Sequence, residues 1–218
     1  MTAATPLDAL VTETAALTHA LDSVPEAAWA NPTRCRPWDA RALLAHVRVA
    51  VARVPQALAE PAPPVAEVSA VEYYRPDERF SPTTNADRIT TAQAHASDLR
   101  GPTILAELDD LCSVIVDRCT PEPPDRVVRT RHGDAMLLTE FLKTRVLEVA
   151  VHGFDLADAL ALPSWLTPTA ADVLQELLLG PSRTAPDPEH FLRAATGRAT
   201  DPDPELLTRL QSRPLALG

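Results

Sequence analysis

The stretch Thr139-Glu-Phe-Leu-Lys-Thr-Arg145-Val-Leu-Glu148-Val-Ala-Val-His152-Gly-Phe-Asp155-Leu-Ala-Asp-Ala-Leu160 decides the fold. It has no proline, and Leu, Val and Ala recur on every side of a 3.6-residue period. That predicts one long helix, apolar nearly all round and therefore interior. Arg145, Glu148, His152 and Asp155 interrupt it at steps of three, four and three, so they share one stripe of that helix. Burying four ionisable groups together is costly unless they pair or hold a cation. The stripe therefore predicts a site as well as a core.

Working outward, Leu7, Leu10, Val11, Leu17, Leu21 and Val24 repeat in steps that predict a helix over residues 7–24. Pro25 to Pro37 breaks the pattern. Asp39 is an N-cap for a second helix running to about Ala57 and carrying His46 among Leu43, Leu44, Val47 and Val49. Pro61 to Pro82 reads as a long ordered loop, with Tyr73, Tyr74, Arg75 and Arg79 available to shape a pocket or simply to pack. Residues 85–99 and 102–119 read as helices joined or kinked at Gly101-Pro102. Residues 126–138, around the turn His132-Gly133-Asp134, read as a short hairpin. Further helices are expected over 169–179, 189–195 and 205–210.

Aromatic residues make up only 4% of the chain, so the core must be Leu, Val and Ala, which favours helices over strands. The expectation is an all-α protein. Residues 1–160 form a four-helix bundle with a short β-hairpin, and residues 161–218 form a small helical extension packed on it.

A net charge of −10 repels phosphate backbones, which argues against nucleic-acid binding. The opening Met1–Asp8 has no basic segment followed by an apolar run, and no stretch approaches the roughly 18 apolar residues of a membrane span. Cys35, Cys112 and Cys119 form no Cys-x-x-Cys pair and no even disulfide set. Cys112 and Cys119 share a helix face as small hydrophobes. The chain reads as cytoplasmic and reduced.

Glu148 and His152 lie one turn apart on one face and can reach a single ion at roughly 2.0–2.2 Å. His46, on a neighbouring apolar helix, is the natural third ligand of a divalent metal, zinc above others. Three protein ligands leave an open position, the mark of a catalytic site. Asp155 could orient a ligand, and Arg145 could balance charge or hold a substrate carboxylate. The competing reading makes Glu148–His152 a hydrogen-bonded pair, His46 a satisfied core histidine, and Arg145 and Asp155 an ion pair at the ends of the stripe. His132 serves the turn, while His19, His95 and His190 read as surface residues.

Two segments carry a resemblance. Trp29-x-x-Pro32-Thr33 with Arg36-Pro37-Trp38-Asp39-x-Arg41-x-Leu43-Leu44-x-His46, followed by Arg145-x-x-Glu148-x-x-x-His152-Gly153-x-Asp155-Leu156-Ala157, resembles the DinB-like, mycothiol-dependent maleylpyruvate isomerase N-terminal domains. The resemblance spans about residues 5–160. It implies a four-helix bundle with zinc or another divalent metal on His46, Glu148 and His152. It also implies mycothiol as the thiol cosubstrate and a small electrophile as substrate, processed by cis–trans isomerisation or S-transfer.

Residues 161–218 are too short and proline-broken for the sterol-carrier-like second domain of many such isomerases, although Thr196-Gly197-Arg198 resembles a remnant of their C-terminal portion. That departure weakens maleylpyruvate itself as the substrate. A metal-dependent hydrolase and a non-catalytic binding or stress protein remain the alternatives. The partners expected are the substrate and the thiol, with no nucleic acid or membrane, and bundles of this kind can pair as homodimers.

Overall fold

The structure is a computed structural model that describes residues 4–75, 81–97, 99–180 and 184–199. The first helix, α1 (Pro6–Leu21), opens on a reciprocal capping box between Thr5 and Asp8. A 3-10 turn at Glu26–Ala30 buries Trp29 completely. Asp39 caps α2 (Ala40–Ala59) by accepting from the Ala42 amide at 2.8 Å, as its position predicts.

The expected loop over 61–82 is interrupted. Ser69 and Glu72 form a second capping box that starts a one-turn helix, α3 (Ala70–Tyr73). Its buried Tyr73 and Tyr74 point the segment inward, whereas Arg75 is exposed and pairs with Glu72. Arg79 lies outside the described residues.

The two helices flanking Gly101 are separate, α4 (Pro82–Ser97) and α5 (Gly101–Cys119). Glycine is required at 101, because a Cβ there would overlap the Trp29 indole. The hairpin pairs β1 (Val127–Arg129) with β2 (Ala135–Leu137) in the register Val128↔Met136. It leads directly into α6 (Leu138–Leu160). After it come α7 (Pro168–Leu179) and α8 (Pro188–Ala195). The helix expected at 205–210 lies outside the described residues.

Helices α1, α6, α2 and α5 touch in that cyclic order and close the four-helix bundle. Helix α4 flanks α2, α7 flanks α1 and α6, and α8 rests on α7 and α6. Every residue from Val149 to Ala157 of α6 is buried, which bears out the interior reading of that helix. Contrary to the expectation that no stretch approaches a span, α2 is, among the described residues, the one helix long and apolar enough to cross a membrane by length and composition, and 61% of its apolar window is buried inside the protein. It is a core helix of the bundle. Cys119 is buried, and burial with the neighbouring Glu122 pushes its thiol up to about 11, so it behaves as a small hydrophobe.

Candidate metal centre

Helices α2 and α6 pack side by side, and their facing polar residues meet at the floor of a cavity of about 260 Å³. The Glu148 Oε2 atom lies 3.5 Å from Nε2 of His46 and 3.5 Å from Nε2 of His152. All three donor atoms fall within 4.8 Å of one another. Two imidazole nitrogens and a carboxylate oxygen are a zinc-type donor set, and one ion could reach all three.

Each ligand is held from outside. Trp38 stacks on His46, with ring centroids 4.6 Å apart and planes 28° from parallel. The Tyr74 hydroxyl sits 3.0 Å from the Thr144 carbonyl and 3.3 Å from Glu148 Oε1, donating to one at a time. His152 Nδ1 lies 3.1 Å from Asp155 Oδ2, which assigns the proton to Nδ1 and turns Nε2 towards Glu148. A ligating histidine needs such a partner on its other nitrogen. Cys35 also donates to Asp155 Oδ2, at 3.2 Å.

Burial raises the Glu148 carboxyl pKa, but hydrogen bonds from His152 and His46 outweigh it and hold the group well below the ordinary carboxylate range. Burial lowers His46, and its contact with Glu148 offsets that only in part. On His152, burial also opposes charge, yet bonds to Asp155, Cys35 and Glu148 prevail and lift it well above the usual value. Burial raises Asp155 as well, and His152 and Arg198 outweigh it, so it stays ionised.

Arg145 and Asp155 do not pair with each other, so the ion-pair alternative gives way to separate partners. Arg145 donates to Thr144 Oγ1 at 3.0 Å and to the Ala50 carbonyl at 3.3 Å, under the rings of Phe141 and Tyr73. It lines the cavity with Arg36, Arg53, Arg88, Arg131 and Arg198, and Glu148 is the one carboxylate among the described lining residues. Partial desolvation and the crowding of Arg88, Arg53 and Arg145 pull the Arg131 pKa down. His19, His95 and His190 are exposed, as expected.

Neither the contact of Cys35 with Asp155 nor the stacking of Trp38 on His46 follows from the sequence, where Trp38 stands out only as part of the motif that carries the resemblance. Trp38 lies before the Asp39 cap and outside α2, so helical spacing carries no signal for its stacking on His46.

A comparison with protein families matches residues 10–157 to the mycothiol maleylpyruvate isomerase N-terminal domain. The chain belongs to that family. Two solved structures share its fold: the mycothiol-dependent maleylpyruvate isomerase, at 19% identity and a TM-score of 0.57, and a histidine-to-alanine mutant of that enzyme, at 18% and 0.56. Each alignment covers 90% of both chains, which takes the likeness past the family match into the C-terminal helices. A search of curated proteins finds no match. Membership places the chain in a family of enzyme domains named for an isomerase.

Proposed function

We propose that this protein is a cytosolic, divalent-metal-dependent enzyme that uses mycothiol to isomerise, or transfer sulfur to, a small anionic electrophile, in the manner of a maleylpyruvate isomerase. The observation that carries the reading is the convergence of His46, Glu148 and His152 at the floor of an arginine-lined cavity. His46, Glu148 and His152 hold the ion, with zinc favoured by the donor set. A bound divalent cation supplies Lewis acidity that lowers the pKa of a thiol in its open position.

The chain's own residues do the rest. Asp155 holds the Nδ1 proton of His152 and acts through it. Arg145, fixed by Ala50 and Thr144, supplies a permanent positive charge beside Glu148. Arg53 and Arg131 on the cavity wall bind carboxylates of the substrate. Trp38 and Tyr74 shield the ligands from water. Addition of the thiol to a cis double bond, rotation, and expulsion of the same thiol return it unchanged; a transferase keeps the adduct.

Elemental analysis of tag-free protein tests the metal first, with about one equivalent expected in wild type and none in His152→Ala. Consumption of a cis-unsaturated dicarboxylate with and without mycothiol then tests the chemistry. Turnover that does not need thiol would overturn the mycothiol-dependent reading. Wild type that stays metal-free with added zinc, nickel, iron or manganese would end the metalloenzyme reading.

A further inference from the structure

Arg198 belongs to the segment beyond α8, outside the bundle, yet its side chain is only 6% exposed and grips the fully buried Asp155. The turn that delivers it depends on Gly197, whose φ of 70° is in the left-handed region. The amides of Arg198 and Ala199 both return to the Arg193 carbonyl, at 2.6 and 3.0 Å. Arg34 adds a latch by donating to the Gly197 carbonyl at 2.7 Å.

The grip is a two-pronged fork. Arg198 Nε meets Asp155 Oδ1 at 2.9 Å, and Nη2 meets Oδ2 at 2.7 Å. Nη1 donates to the Thr196 carbonyl at 2.6 Å, which fixes the guanidinium plane in turn. With both oxygens engaged in one plane, the carboxylate cannot rotate about its last bond. Oδ2 is thereby kept on His152 Nδ1.

We propose that Arg198 is a positioning residue of the metal centre: by pinning Asp155 it holds His152 with Nδ1 as donor and Nε2 turned to His46 and Glu148. Simple neutralisation of a buried aspartate is the competing role, and it needs charge but no fork. The two differ for lysine, which keeps the charge and cannot make the paired contacts.

The test compares wild type with Arg198→Lys, Arg198→Ala and Asp155→Asn. Its zinc arm rests on the metal reading above. Competition against a chelator measures zinc affinity, and both Arg198 variants are expected to weaken it roughly 10–100-fold. In an Asp155→Asn background, removing Arg198 adds no further loss. In metal-free protein, the His152 Nδ1 proton gives a slowly exchanging downfield imidazole signal in nitrogen–proton NMR spectra, and that signal exchanges faster in both Arg198 variants.

Wild-type zinc affinity in Arg198→Lys, or a His152 signal unchanged in that variant, would overturn the proposal. The lysine variant also keeps the test decisive if Arg198→Ala fails to fold. Wild type that binds no zinc would overturn the metal reading alone, because the His152 signal still decides what Arg198 does.

Discussion

Asp155 Oδ2 stands 3.1 Å from His152 Nδ1, one turn further along the same helix. The three-residue step that makes this contact leaves the opposite edge of the imidazole facing Glu148, itself one turn back. A single helical repeat thus supplies a ligand pair together with the group that orients it.

His46 is the ligand contributed by a different helix, so its loss should empty the site without undoing the bundle. His46→Ala is expected to weaken zinc binding by at least about 100-fold, since even indirect supports of a metal ligand are worth 10–100-fold. Metal-free stability should change by only about 1 kcal/mol. Calorimetric zinc titration beside urea denaturation measures both, and unchanged zinc binding would contradict the ligand assignment.

Tyr74 is 1% exposed, and its hydroxyl spans Glu148 and the Thr144 carbonyl. Tyr74→Phe keeps the packing and removes that link. The expected cost is about 1–2 kcal/mol in urea unfolding, with weaker zinc binding because Glu148 is less firmly held.

Glu13 links α1 to the start of α7 by accepting from the Thr167 amide at 2.9 Å and the Thr167 hydroxyl at 2.6 Å. Burial nevertheless raises its pKa, with those bonds offsetting only part of the shift. A raised folded-state pKa contributes stability below the unfolded value, lost as pH rises through the folded one. Wild type should therefore lose ground to Glu13→Gln as pH rises above the ordinary carboxylate range. Chemical unfolding of both proteins at each pH checks this, and a gap that moves the other way would refute it.

Arg53 and Arg131 line the cavity wall. Alanine at either position should raise KM for a dianionic substrate by about tenfold and leave zinc content intact. A charge-assisted hydrogen bond is worth about 1.5–3 kcal/mol, which is sufficient for such an effect. Steady-state kinetics at two salt concentrations provides the measurement.

The bundle was legible because its signals are local. Periodicity placed α1, α2, α5 and α6, the Asp39 cap marked where α2 begins, and a polar stripe on an apolar helix exposed Glu148, His152 and Asp155. What the sequence concealed depends on contacts between distant segments. Arg198 reaches Asp155 across 43 residues, Tyr74 reaches Glu148 across 74, and Cys35 reaches Asp155 across 120. No periodicity encodes such distances. The same holds for α3, whose single turn is too short for a repeat and is announced only by Ser69 and Glu72. The alternative that paired Arg145 with Asp155 gives way for a local reason: ten residues of helix hold them nearly three turns apart.

The arginines of the cavity have a kinetic consequence because the chain as a whole carries a net charge of −10. An approaching anion meets repulsion from the bulk of the molecule first, and attraction only within about a Debye length of the mouth, roughly 8 Å at physiological salt. Salt screens the barrier and the trap alike. Arrival of the anion should quicken as ionic strength rises, while its residence shortens.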